Sequence, residues 1–316
     1  MDKLKIRWAL HSNENEPTTR QRGIAVFSKL REWGYDAARW DGRENADIIV
    51  CQYDFRDQAK AIDRAGVIVQ DINDMIFADW HPCQGMFKRF VGNAHAVVGG
   101  TQRLGAHLQR WHPFVRVIND VIQEDYFWVK PAAHNQLRIC WTGMHDNIMF
   151  FDECDAALAE LSHGVDFKVS FVTSKVDGSG RSNVAKVEGK PYPTKFVEWS
   201  MPALLEEMSV ADLAVIPLFP NEWCACKSPQ KALCFMAAGV PVAASDVEPY
   251  RQIINQDENG YLCYNHDDWV DALSLLLTDQ NLRERFAKRG PETAEAFSAN
   301  RIAREWLGLF NEIRPN

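Results

Sequence analysis

The chain has 316 residues, 46% of them hydrophobic and 25% charged, and a formal net charge of −8. That length exceeds what one hydrophobic core ordinarily supports and predicts two domains. The acidic balance argues against nucleic acid or an anionic membrane as the main partner while leaving room for a local basic pocket. No apolar run approaches the roughly 20 residues that span a bilayer, and the opening MDKLKIRWALHSNENEP lacks a secretory-leader pattern; the expected location is cytoplasmic.

Strand-like segments alternate with helix-like ones throughout, the pattern of parallel sheets flanked by helices. In the first half, residues 5–10, 46–51, 66–70, 94–98 and 115–118 read as strands. Helices are expected over 23–34, where apolar residues recur at helical spacing, and over 101–111 behind a Thr101 cap. The loop after the first strand, HSNENEPTTRQRG (11–23), lies at the strand ends where doubly wound domains bind ligands. It lacks G-x-G-x-x-G, so a dinucleotide reading is weak. Arg20 and Arg22 are either anion contacts or solvated residues ahead of a helix. Residues 69–81, VQDINDMIFADWH, follow a strand and carry Asp71, Asp74 and His81; loop capping by Asp and Asn is the alternative to a binding role there.

The second half repeats the plan. Strands are expected over 137–142, 167–173, 195–199, 213–216, 241–244 and 261–264, and helices over 152–162, 201–208, 269–277, 281–288 and 300–313. Residues 128–136 read as a linker and 174–193 as a long polar loop. The expected organisation is a first Rossmann-like domain over 1–130, a second over 136–298, and a terminal helix, 299–316, packing back toward the first. Of eight cysteines, Cys51, Cys140 and Cys263 stand in apolar strand segments and read as buried small hydrophobes. Cys224 and Cys226 form C-x-C with Cys234 eight residues on, but the second paired cluster of a zinc site is missing; no metal is expected.

The most informative stretch is KSPQKALCFMAAGVPVAAS, 227–245. Ser228 reads as an N-cap, Pro229 as the first helical residue and Gly239 as the left-handed residue past the helix end. Lys227 and Lys231 stand four apart in the first turn, against the helix dipole. Cations placed there are either solvated or, with the unpaired N–H groups of the helix start, a site for phosphate or diphosphate.

The chain resembles the retaining glycosyltransferases of the two-domain GT-B fold, the family of bacterial sugar transferases for polysaccharides and glycoproteins. The likeness rests on AVVGGTQRLGAHL (96–108) with VRVINDVIQEDYF (115–127), LRICWTGMHDN (137–147), TKFVEWSMPALLEEMSVADLAVIPL (194–218), and the run from KSPQKALCFMAAGVPVAAS through PYRQII and NGYLCY to Trp306. It implies two Rossmann-like domains facing across a cleft and transfer of a sugar from a nucleotide-diphosphate donor (UDP- or GDP-linked) with retention at the anomeric carbon. The acceptor would be a glycan, a lipid-linked group, a protein or a small molecule. No metal or other cofactor is implied. By the same likeness Lys227, Ser228 and Lys231 hold the diphosphate, and Gly143, His145 and Asn147 border it. Val197 and Trp199 lie near the base, Glu248 and Tyr250 line the sugar end, and Asp74 touches the acceptor. Family members carry two glutamates eight apart where this chain has Cys226 and Cys234, the second of them holding the donor ribose. That departure raises a second reading, a GT-B-like binding or scaffold protein that has lost turnover. A sugar-nucleotide epimerase would need acid/base carboxylates and histidines for which the sequence offers no clear set.

Overall fold

The computed structural model describes residues 4–10, 12, 14, 16–52, 60–176 and 179–314. His11, Asn13 and Asn15 of the predicted first loop, and Asp177 and Gly178 of the predicted long loop, lie outside these residues. The chain forms two compact units. One takes Met1–Gln123, Cys226–Ser228 and Phe297–Asn316; the other takes Glu124–Ala225 and Pro229–Ala296.

In the first unit β1 (Lys5–Ala9), β2 (Asp36–Arg39), β3 (Ala46–Gln52), β4 (Ala65–Ile72), β5 (Ala96–Gly99) and β6 (Val115–Val117) make one parallel sheet in the order β2-β1-β3-β4-β5-β6. The inner strands β3 and β4 are near-continuous apolar runs, ADIIVCQ and AGVIVQDI, because helices cover both faces of a parallel sheet. Register follows, with Ile48 opposite both Ile6 and Val67. The core joins these strands to Val26 and Leu30 and to the last helix, Ala299–Glu312, whose Ile302, Trp306, Leu309 and Phe310 are buried in it. Trp8 meets Trp306 edge-on at 6.1 Å and Phe310 at 5.7 Å, geometry that adds about 0.5–1.5 kcal/mol per pair beyond simple burial.

In the second unit β7 (Leu137–Thr142), β8 (Phe167–Thr173), β9 (Thr194–Glu198), β10 (Leu213–Ile216), β11 (Val242–Ser245) and β12 (Tyr261–Cys263) make a second parallel sheet, ordered β12-β11-β10-β7-β8-β9. Its core packs Trp141, Phe151, Phe167 and Phe171 with Trp269, Leu273 and Leu276 of the helix His266–Thr278. That helix opens on a full capping box, Asn265 with Asp268.

Several elements differ from the sequence expectation. β2, DAAR, has almost no strand propensity; pairing with β1 along Lys5↔Asp36 to Trp8↔Arg39 makes it an edge strand. The expected loop 174–193 contains a helix, Asn183–Glu188, started by Ser182 and anchored by buried Val187. The expected loop 11–23 turns helical early: Thr19–Ile24 is a π-helical turn running into the α-helix Ala25–Glu32. A helix at Gln84–Phe90 was not anticipated. The helix expected over 281–288 runs Gln280–Ala294, through Pro291. No helix among the described residues is long and apolar enough to cross a membrane.

Candidate functional site

All strands of each sheet are parallel, so each sheet has one carboxyl edge, and side chains following the strands collect there. In the second unit Gly143 follows β7, Thr173 ends β8, Trp199 follows β9, Leu218 lies beyond β10 and Ser245 ends β11. Gly143 donates its N–H to the Val172 carbonyl at 3.4 Å, and Trp199 donates to the Thr173 carbonyl at 3.1 Å. A Cβ on Gly143 would fall 2.8 Å from the Trp141 ring, so only glycine lets the chain turn this tightly over the tryptophan. The turn leads into the 3-10 helix His145–Phe151, where Asn147 N–H reaches the Met144 carbonyl at 2.8 Å. His145 Nε2 lies 3.1 Å from the Asp146 carboxylate, and its own carbonyl accepts from Asn183 Nδ2 at 3.4 Å. Asn183 is buried and also donates to the Ser174 carbonyl at 3.0 Å. It ties the turn after β7 to the one after β8, a role with no sequence signal because the two lie far apart in the chain.

The Thr173 side chain is fully buried at this edge, and its hydroxyl has no partner among the described residues. A buried hydroxyl left without a bond is costly, and it lies between the turns that carry Gly143 and Trp199. Thr173 is therefore a candidate ligand contact that sequence reasoning missed. Val197 pairs with Val172 in the ladder and is half-buried, as is Trp199. On the other side of the sheet Ser245 Oγ accepts from the Leu218 N–H at 2.8 Å, locking the turn after β10 to β11.

The helix Gln230–Ala237 crosses from β10 to β11 and so starts toward this carboxyl edge. Its first bond runs from Leu233 N–H to the Pro229 carbonyl at 3.1 Å. Pro229, not Ser228, occupies the N-cap position, with φ −73° and no side-chain cap; Ser228 stands one residue outside. Gly239 ends the segment in the left-handed region at φ +70°, as expected. Lys231 is half-buried in the first turn of the helix. Lys227, also half-buried, falls in Cys226–Ser228, which belongs to the first unit. There the Cys226 carbonyl accepts from Thr101 Oγ1 at 3.1 Å while the same hydroxyl caps the helix Gln102–Leu108.

Two expected contacts are buried. Tyr250 is 1% exposed, buried beneath the short helix Glu248–Arg251, and burial pushes its hydroxyl well above the usual phenol range; it is a core residue, while half-buried Glu248 opens that helix. Cys234 is buried on the helix Gln230–Ala237. None of the eight cysteines is in a disulfide, and burial raises the Cys140, Cys154 and Cys263 thiols. These three are inert packing groups.

The carboxyl edge of the first unit is built differently. Arg22, expected as an anion contact or a solvated residue, is fully buried on the π-helical turn. Its Nη2 lies 2.5 Å from Asp71 Oδ1 and its Nη1 2.8 Å from Asp120 Oδ1, and it also donates to the Ile118 carbonyl at 2.8 Å. Gln52 Nε2 adds a bond to Asp71 at 3.3 Å, and Asn73 Nδ2 donates to Thr18 Oγ1 at 2.6 Å. Burial alone would lower the Arg22 guanidinium, but the two carboxylates raise it well above its ordinary value. Burial lifts Asp71 above the carboxylate range against the pull of Arg22, since one cation serves two acids. Arg20 reaches the Glu14 carbonyl at 3.3 Å. The Asp74 carboxylate accepts from Met75 N–H at 2.8 Å, a turn-capping bond.

Residues 229–293 match the family model described as glycosyl transferases group 1. Over 80 residues the chain is 32% identical to the phosphatidyl-myo-inositol mannosyltransferase of Mycobacterium leprae (strain TN), a stretch covering 25% of this chain and 21% of that protein. The chain thus spans about a fifth of the length of that curated relative. A glycosyltransferase from Rickettsia africae ESF-5 superposes with a TM-score of 0.74 at 14% identity, covering 99% of both chains. Anabaena Alr3699/HepE, solved in complex with UDP, superposes with a TM-score of 0.74 at 12% identity, covering 98% of this chain and 100% of that one. Identities this low establish a shared fold. Residues 229–293 are thus similar to the group 1 glycosyl transferases, and the two six-stranded parallel sheets share the fold of the GT-B glycosyltransferase structures.

Proposed function

We propose that the protein transfers a sugar from a nucleoside-diphosphate donor to an acceptor, with retention at the anomeric carbon and without a metal ion or other cofactor. One observation carries the reading: the carboxyl edge of the second sheet gathers the glycine turn at Gly143, the orphaned Thr173 hydroxyl and the backbone after β9, and the family match begins at Pro229, where the next helix starts. Breaking the bond between the anomeric carbon and the diphosphate places negative charge on the leaving oxygen. Lys231 and the positive end of the helix dipole supply charge of the kind that stabilises such a leaving group. Lys227 takes the same role on the sequence resemblance. The turn Gly143, His145 and Asn147 borders the phosphates, Val197 and Trp199 offer backbone groups to the base, and Glu248 lies toward the sugar. Asp74 is assigned to the acceptor on its position after β4. The acceptor class is a glycan, a lipid-linked group, a protein or a small molecule.

The test is calorimetric titration with UDP and GDP, followed by donor hydrolysis in EDTA and the anomeric configuration of the product by NMR. UDP comes first because the Anabaena neighbour was solved with it. Binding of neither nucleotide, with no hydrolysis, overturns the reading. A second reading, a binding or scaffold protein without turnover, is favoured by the buried thiol of Cys234 where the sequence resemblance implies a ribose-holding carboxylate. Nucleotide binding and donor hydrolysis separate the two, since the scaffold reading expects neither; Cys234→Glu then tests the position itself. In an active enzyme with a merely vacant position it tightens nucleotide binding; in a pocket rebuilt around the thiol it weakens it.

A further inference from the structure

From Trp80 to Asn119 the sequence holds Lys88, Arg89, Arg103, Arg110 and Arg116 and no aspartate or glutamate, in a chain with 43 acids against 35 Lys and Arg. This segment folds within the first unit. The helix Gln84–Phe90 packs through its buried Phe87 against Phe77 and Trp111, ring centroids 5.7 Å apart in both pairs, and Phe77 meets His107 of the helix Gln102–Leu108 at 5.5 Å. What remains outside is unusual for a soluble surface: Trp80 is 63%, Met86 42% and Trp111 39% exposed. The cations stand among these side chains. Lys88 lies 5.4 Å over the Trp111 ring and Arg89 5.4 Å over the Phe90 ring, while Arg103 and Arg110 are exposed on and just beyond the neighbouring helix. Acids from outside the segment meet it too: Asp79 accepts from Gln84, and Glu312 neutralises Arg116.

We propose that this face docks the protein on an anionic phospholipid surface. Tryptophan and methionine exposed beside lysine and arginine match the interfacial layer of a bilayer, where the rings and thioether enter the headgroup boundary and the cations meet lipid phosphates. A soluble polyanion would engage the cations but would leave Trp80, Met86 and Trp111 in water. The net charge of −8 opposes any general attraction to such a surface. Most of the surface is repelled by an anionic membrane, so this basic face sets the orientation of approach. This surface is independent of donor binding, and nucleotide titration in solution reads out separately.

The experiment is co-sedimentation of the whole chain with vesicles of phosphatidylcholine alone and of phosphatidylcholine with an equal part of phosphatidylglycerol. Binding is expected to the second and not the first, and to fall as salt is raised. Lys88→Glu with Arg89→Glu should cut the partition about tenfold or more, each cation near the surface contributing measurably. Trp80→Ser should weaken it further with the melting temperature unchanged, because all three side chains are exposed. No binding to the anionic vesicles, equal binding to both kinds, or an unaffected charge-reversal variant overturns the assignment. So does binding to heparin without binding to vesicles.

Discussion

The two carboxyl edges are made from the same strand-turn-helix plan and finished in opposite ways. In the first unit the edge holds a buried ion cluster, Arg22 between Asp71 and Asp120, with Gln52 Nε2 adding a bond to Asp71 while Gln52 Oε1 and Thr19 Oγ1 find no partner among the described residues. In the second unit it is left unsealed: a glycine where no Cβ fits, a buried threonine hydroxyl without a partner among the described residues, and Met144 and Met149 about half exposed on the turn. A fold fixes where ligands approach but not whether a given edge receives one. Polar groups that satisfy each other hold a turn rigid, whereas polar groups left over are available to a substrate.

The sharpest way to break this contrast is Arg22→Met. It leaves two buried carboxylates without their cation and should cost about 3–5 kcal/mol at neutral pH. Asp71 already titrates above the ordinary range, so the folded state binds more protons than the unfolded one between those two values. Its contribution to stability therefore falls as pH rises through that window. Without Arg22 the window widens upward, and the deficit should shrink on acidification. Urea melts at pH 7 and pH 5 check this; a deficit equal at both values would show that the cluster is not an electrostatic seal. Next in size, Lys227→Ala and Lys231→Ala should each remove about 1.5–3 kcal/mol of UDP or GDP binding through lost charge-assisted hydrogen bonds, with little change in melting temperature. Unaltered titration curves would withdraw both lysines from the site. The smallest effect is expected for Gly143→Ala. The added methyl must displace the Trp141 ring, costing about 1–3 kcal/mol of stability by overpacking, and nucleotide binding should weaken with it. A stable variant with normal affinity would mean that the turn after β7 is not part of the donor site.

The central strands were legible because burial on both faces of a parallel sheet demands unbroken apolar runs, as in β3, β4 and β8. β2 was not, since DAAR becomes a strand only by pairing with β1. The helix Asn183–Glu188 hid in a polar stretch that local composition reads as loop. Gly239 was predictable from local geometry alone, whereas the shift of the N-cap from Ser228 to Pro229 depends on how the preceding turn is held. Arg22 was read as an anion contact or a solvated residue because its partners lie 49 and 98 residues away. The burial of Tyr250 was not legible, because an aromatic beside a predicted turn looks alike whether it faces in or out.

By itself the order of apolar runs and caps determined the class of fold, two parallel sheets with covering helices, and pointed to the helix after Ser228 as the place where an anion would bind. Those features depend on neighbours within a few residues, which a sequence displays directly. The tertiary structure decided that Phe297–Asn316 completes the first core, that Arg22 is sealed between two acids and that Tyr250 and Cys234 turn inward. Each of these follows from contacts between distant segments, and the burial of a charge, a ring or a thiol is a property of what surrounds it and not of the residue alone.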